Sequence, residues 1–396
     1  MSDRLNENTI THLPDYKTIN MSEYRRRRRK KKLITAIEII AAVMGVILIF
    51  CAYAGNINPQ KFFPAPFMTL GFIPMLVVTV IVLAIFMLTR RWIASLILAA
   101  SIVITFPIIN HYMPLNTIDN APPVPADTTV MLKVMTYNVL GFNFNEPSLR
   151  AKPSASMRLI LDTNPDVVLL QEGGASGMDW KELPSIIPYL PEINAKYPYC
   201  YSSAEGLNIM SKFPFTTQPL GTTQESHSPL GYNRDHRSNL ARAYDLMLPS
   251  GKQIRLVNYR LQSYHLSFAK SENVRVSPDV KPSPLERMRR SFALRGSNAE
   301  SLRTILDNSP KNVIMCGDMN DVSTSYVYRT IRGDEMKDAW VDAGYGYAHT
   351  YNRHGLRYRI DHVLYRGALR PVDAVRLEGG SSDHYPLMIT FDTDIK

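Results

Sequence analysis

Three apolar runs of membrane-span length crowd into the first 110 residues and fix what that part of the chain can become. Residues 33–54 and 67–88 are each 22 residues of nearly unbroken hydrophobicity, and 92–109 adds a shorter third. A helix needs about 20 apolar residues to cross hydrocarbon, where it satisfies its backbone polar groups internally. A cleaved signal has an apolar core of about 7–15 residues behind a short basic start. Here a 32-residue polar leader precedes the first run and two further runs follow, so the pattern predicts three retained transmembrane helices over 33–110.

Arg25–Arg29 and Lys30–Lys32 form an unbroken run of eight cations against the first apolar run, and Arg90 with Arg91 separates the second from the third. Positive charge stays on the cytoplasmic side. Residues 1–32 and the Arg90–Arg91 connector are therefore expected inside, and everything beyond residue 110 outside. A basic run also suits a nucleic-acid patch, but its position against an apolar 22-mer makes topology and anionic-lipid contact the better account. Glu38 lies near the cytoplasmic end of the first run and can snorkel to the interface. The net charge of the chain is +10, and ten basic against four acidic residues in 1–32 supply +6 of it. Residues 121–396 hold 32 basic and 29 acidic residues, a balance of +3 that argues against a surface built for nucleic acid.

Residues 111–129 carry four prolines and no apolar period, the composition of a semi-rigid linker. From residue 130 to 396, short β-rich runs alternate with helical stretches. Strands are predicted in 130–140, 166–172, 207–213, 241–248, 253–263, 312–318, 359–365 and 384–391, and amphipathic helices over 154–163 and 297–308. Strands that come both as hairpins and separated by helices indicate an α+β layered sandwich with its own core. Cys51 falls in the first apolar run. Cys316 sits inside an apolar strand, where a small buried hydrophobe is a commoner role than pairing with Cys200.

Polar side chains at the ends of apolar strands are the informative ones. Asn138, Gln171 with Glu172, Asp318 with Asn320, Asp361 with His362, and Asp383 with His384 mark five strand ends, which suggests one acidic pocket at the edge of the sandwich. Carboxylate and amide oxygens without thiols suit a hard cation, Mg²⁺ or Mn²⁺, rather than zinc. The sequence has no GxxxxGK[ST], GxGxxG after a strand, HExxH or GxSxG. Nucleotide-driven phosphoryl transfer, dinucleotide redox chemistry, zincin proteolysis and acyl transfer thus lack their usual parts. Metal-assisted hydrolysis by an activated water remains.

TYNV (136–139), LLQE (169–172), CGDMND (316–321), RIDHVLY (359–365) and SSDHYP (381–386) together resemble the ordered signature of the endonuclease/exonuclease/phosphatase family of metal-dependent phosphodiesterases. The resemblance covers residues 130–394 and implies a four-layer α/β/β/α sandwich. Three membrane helices ahead of such a domain are similar to a group of bacterial envelope proteins in the family. By resemblance, Glu172 would be the principal Mg²⁺ ligand with Asn138 beside it, and Asp383 would join them. Asp318 and Asn320 would orient or deprotonate the water and hold the phosphate, while Asp361 would hold His384 in its working tautomer.

One position departs from the pattern. Many members carry N-x-H-L where this chain has Asn258-Tyr259-Arg260-Leu261, so Arg260 replaces a histidine that contacts phosphate or leaving group beside Asn258. An arginine can neutralise a phosphate but does not donate a proton usefully near neutral pH. His265 is a possible substitute, and the basic stretches 221–239 and 265–296 are candidate rims for an anionic substrate. Two readings result. One is a periplasm-facing, membrane-anchored Mg²⁺-dependent phosphoesterase of the bacterial inner membrane, its place beside the bilayer favouring a lipid-headgroup phosphodiester over nucleic acid, with no obligate protein partner indicated. The other is a catalytically impaired, anchored module that binds phosphate ligands.

Overall fold

The computed structural model describes residues 21–116, 131–175, 177–203, 206–218, 240–263, 283–353 and 355–394. His265, the stretch 221–239 and all of 265–282 lie outside the described residues. The chain divides into two compact units, one of residues up to Leu48 with Leu76–Val103, the other of Ile49–Met75 with Ile104 onward.

Three helices precede the sandwich: α1 (Met21–Tyr53), α2 (Ala65–Leu88) and α3 (Trp92–Tyr112). In the first unit, Ala41, Ala94 and Leu98 are buried together, while Val46, Ile81, Leu96 and Val103 are more than half exposed. Among the described residues two helical segments, Tyr24–Asn56 and Trp92–Tyr112, are long and apolar enough to cross a membrane. The apolar part of the helix between them, Phe72–Leu88, is shorter, so the expectation of three spans is corrected to two. Pro74 lies near the start of that shorter segment, where it lacks the N–H that would bond the Leu70 carbonyl.

The second unit is built on two six-stranded sheets. The strands and helices in chain order are β1 (Met131–Asn138), α4 (Ala155–Thr163), β2 (Val167–Gln171), α5 (Leu190–Lys196), β3 (Tyr199–Tyr201), β4 (Asn208–Ser211), β5 (Phe215–Gln218), β6 (Leu240–Met247) and β7 (Gln253–Arg260). There follow α6 (Pro284–Asp307), β8 (Val313–Asp318), α7 (Tyr326–Arg332), β9 (Lys337–Asp338), α8 (Ala339–Ala343), β10 (Tyr351–Arg353), β11 (Leu356–Tyr358), β12 (Asp361–Arg366), β13 (Arg370–Arg376) and β14 (Leu387–Asp392). One sheet runs β13-β14-β1-β2-β4-β3, the other β5-β6-β7-β8-β12-β9, and β10 and β11 form a separate hairpin.

Alternation along each strand decides the layers. Leu132, Val134, Leu169 and Ile209 of the first sheet meet Tyr244, Leu256, Ile314, Cys316 and Val363 of the second in one buried core. The opposite face of the first sheet, with Met135, Tyr137 and Leu170, is covered by Met157 and Ile160 of α4 and by Trp180. Val257, Val313 and Met315 on the outer face of the second lie under α6 and α7. This is the expected α/β/β/α sandwich with two mixed sheets. All three cysteines are free, and Cys316 packs in the inter-sheet core.

The expected helix over 297–308 is longer. Its first half, read as a loop rim, is helical from Pro284, with the Ser283 hydroxyl capping the Glu286 N–H and proline in the first turn. Phe292, Arg295 and Ala299 then fall on its buried face.

Candidate active site

Register brings the polar strand ends together. Asn138 closes β1 opposite Gln171 of the parallel neighbour β2, and Glu172 follows at once. In the other sheet Arg260, Asp318 and Asp361 are cross-strand partners at the ends of β7, β8 and β12. Gly317 permits this closeness: a Cβ there would sit 1.9 Å from the Tyr259 carbonyl oxygen. Glu172 and Asn320 both adopt positive φ, 52° and 51°, a left-handed conformation that costs about 1–2 kcal/mol for a residue with a Cβ.

Asn138 is the hub. Its Nδ2 donates to Glu172 Oε1 at 2.9 Å and to Asp318 Oδ2 at 3.0 Å, bridging the sheets. Its carbonyl oxygen is tied by Ser382 Oγ at 2.7 Å, which holds the loop between β13 and β14 against the end of β1. On that loop His384 lies 2.8 Å through Nδ1 from Asp361 Oδ2 and 4.0 Å through Nε2 from Asp318 Oδ2. Asp318, Asp361 and His384, all buried, form a cluster that could hold a metal ion. The Tyr351 and His384 rings pack edge to face at 5.2 Å, a contact with no local signature in the sequence.

Burial alone would discharge His384, but the Asp361 and Asp318 carboxylates hold its proton and raise its pKa to about 10. Asp318 moves up to about 6, through burial first, with the imidazolium pulling the other way and the Asp361 carboxylate adding to the rise. The site therefore pairs a buried cation with a carboxyl poised near neutrality.

The remaining expected residues fall differently. Arg260 does reach the site, with Nη2 2.8 Å from Glu172 Oε1. Asn320 gives its backbone N–H to Asp318 Oδ1 at 2.8 Å and its Nδ2 to Asp318 Oδ2 and the Leu261 carbonyl, both at 2.9 Å. It orients Asp318, with both amide hydrogens given to Asp318 and the Leu261 carbonyl. Asn258 is fully buried, donating to the Leu170 and Asn208 carbonyls and accepting from Gln171 Nε2 at 2.7 Å. It locks the two sheets together. Asp383 pairs with Arg353 of β10 at 3.3 Å, and its other oxygen is buried with no partner among the described residues.

A family model described as the endonuclease/exonuclease/phosphatase family matches residues 135–384. The chain belongs to this family. Its phosphoesterase fold is consistent with a metal-dependent phosphoric ester hydrolase. A second model, described as a domain of unknown function (DUF8431), matches residues 31–112. A search of curated proteins finds no match. Similar solved structures include a humanized D. rerio TDP2, at 18% identity and TM-score 0.44 over 67% of this chain and 100% of that one. A Bacteroides thetaiotaomicron endonuclease/exonuclease/phosphatase family protein has 14% identity and TM-score 0.42 over 67% and 98%. Sphingomyelinase C from Streptomyces griseocarneus has 17% identity and TM-score 0.39 over 66% and 99%.

Donor chemistry fits a hard divalent cation. The Glu172 and Asp318 carboxylates converge on the Asn138 amide, and among the described residues Asp361 Oδ1 and Asp383 Oδ1 are buried acceptors with no partner, which is costly unless something positive meets them.

Proposed function

We propose that this protein is a membrane-anchored, Mg²⁺- or Mn²⁺-dependent phosphodiesterase whose site faces the extracytoplasmic side of a bacterial inner membrane. The observation that carries the chemistry is the buried Asp318–His384–Asp361 cluster beside Asn138 and Glu172. Glu172, Asn138 and the unpartnered oxygen of Asp383 are the groups that would hold the cation. A bound divalent ion supplies Lewis-acid polarisation of a non-bridging phosphate oxygen.

The chain's own groups perform the rest. Asp318, poised near neutrality, accepts the proton of the attacking water, and Asn320 fixes its carboxylate in line. His384, kept protonated by Asp361, places a positive N–H toward the phosphate. Arg260 adds a second cation at the open edge of the site. A lipid-headgroup phosphodiester suits this better than nucleic acid, because residues 121–396 carry a balance of only +3.

Anchoring is supported by the exposed apolar side chains of α1 and α3, which in water would form a surface far larger than soluble monomers tolerate. The extracytoplasmic side follows from α1 together with a return of the chain through the shorter Phe72–Leu88 helix, which puts Arg90 and Arg91 back on the cytoplasmic side before α3. The N-terminal turns of α1 carry Arg25–Lys32, retained in the cytoplasm, and its last turn belongs to the sandwich unit. A reporter fused after residue 396 should behave as extracytoplasmic.

The binding-module reading is favoured by one contact, the Arg260–Glu172 pair, in which a guanidinium engages a proposed metal ligand. Full-length protein in detergent, assayed on a panel of phosphodiesters with Mg²⁺ against EDTA, separates the two. Turnover that needs the metal and is lost in Glu172→Gln at unchanged Tm supports the enzyme. Binding without turnover of any substrate supports the module.

A further inference from the structure

The outer ends of the N-terminal helices do not stop short of the sandwich. The turn after α1 brings Gly55 so close to the loop following β8 that a Cβ on it would lie 1.8 Å from the Thr324 carbonyl oxygen. At the end of α3, Tyr112 is buried and shares a 2.9 Å hydrogen bond with Thr324 Oγ1. Its neighbour His111 lies 2.6 Å from the Tyr328 hydroxyl, which donates to Asp338. Arg359, wholly buried, pairs with that Asp338 at 2.9 Å and donates to the His111 carbonyl at 3.3 Å, two residues before Asp361. At the start of α2, the Leu70 carbonyl that Pro74 leaves without a helical donor accepts from Tyr358 at 3.4 Å. Asn58 donates to Glu300 and Tyr326, Gln60 to Ser297, and Phe67 stacks edge-on against Phe292 at 5.1 Å.

These contacts converge on one stretch. The loop from Asp318 to Ser325 carries Asp318 and Asn320 at its active-site end; at its other end Thr324 meets Gly55 and Tyr112, and Ser325 caps α7. Midway, Asp321 is buried and paired with Arg295 at 3.4 Å, and its carbonyl lies 3.0 Å from His362 Nε2. A loop held on both sides by buried polar partners transmits displacement rather than absorbing it.

We infer that the ends of the membrane helices are a working part of the catalytic site: the phosphoesterase domain is seated non-covalently on them, and Gly55 and Tyr112 are positioning residues for Asp318 and Asn320. This rests on the function proposed above, but its first test needs no activity. A protease site placed within 117–130 of the full-length chain is cut in detergent, and completeness of cleavage is checked on a denaturing gel. The two fragments should co-elute in size exclusion; separation of the catalytic fragment from the helices overturns the seating. The second test is kinetic. Tyr112→Phe, which removes one hydroxyl and keeps the ring, should lower kcat about three- to tenfold with KM for substrate unchanged. Gly55→Ala should lower kcat further by pushing on the Thr324 backbone. An unchanged kcat in a folded Tyr112→Phe protein overturns the positioning role even where the fragments co-elute. Should wild type turn over nothing, the function reading falls while the co-elution result still decides the seating.

Discussion

Removing the Arg260 charge should strengthen metal binding while weakening substrate binding, and the size of the first effect follows from the geometry. Arg260 Nη2 and Asn138 Nδ2 both donate to Glu172 Oε1, at 2.8 and 2.9 Å, so the guanidinium stands where it repels a cation on that carboxylate. Two unit charges about 4 Å apart interact with about 1 kcal/mol in water and about 4 kcal/mol at an effective dielectric of 20. Both side chains keep about a quarter of their surface exposed, 28% and 26%, so screening holds the effect near the lower end. About 1–2 kcal/mol is a factor of about 5–30 in affinity. Arg260→Met, which keeps the stem and drops the charge, should tighten Mg²⁺ by that factor in calorimetry on full-length protein and raise KM for bis-p-nitrophenyl phosphate. Arg260→His restores a group able to carry a proton and should raise kcat by about 10²–10⁴. Equal or weaker Mg²⁺ binding in Arg260→Met would refute the competition. A faster wild type than Arg260→His would make the guanidinium itself the adapted catalytic group.

Asp361→Asn should lower kcat by about 10²–10⁴, because His384 loses the charge that keeps its proton, and the imidazole pKa seen by NMR should fall. His362 is buried, and burial lowers its pKa from 6.5 to about 4. The unfolded chain therefore binds its proton first, so the stability from a neutral His362 is present above pH 6.5 and is lost as pH falls toward 4. Tm measured across that window should drop less in His362→Gln. Gly317→Ala forces a methyl against the Tyr259 carbonyl and should cost about 3 kcal/mol or more by denaturant titration, with strand pairing between β7 and β8 the first casualty.

Much of the site was legible because its residues interrupt apolar strands where nothing structural asks for charge. Asn138, Glu172, Asp318, Asp361 and His384 are each a polar group closing or opening a β-rich run, and the sandwich brings those ends to one edge. What a strand end cannot tell is which way the side chain's hydrogen bonds go. Asn258 and Asn320 read the same as Asn138 in sequence, yet one locks the sheets and the other braces Asp318, because their partners come from strands and loops distant in the chain. The Arg260–Glu172 pair spans 88 positions and had no local signature. The first half of α6 hid behind its arginines, although Ser283, Pro284 and Glu286 form a helix-start pattern that could have been read. Pro74 stands in the second apolar run close to where the shorter apolar helix Phe72–Leu88 begins, a limit that hydrophobicity alone does not mark.

The burial pattern bears on the choice between enzyme and binding module. Capturing a phosphate needs only cations at a surface, and Arg260 alone meets that need. It does not call for Asp361 and His384, buried behind Asp318, nor for Glu172 and Asn320 held at unfavourable φ. Each of these costs stability: a buried carboxylate oxygen without a partner on Asp361, a raised Asp318, two strained backbones. A fold retains such costs at one edge when the groups act together on something that is not yet bound. The arrangement thus weighs toward turnover over simple capture of a phosphate.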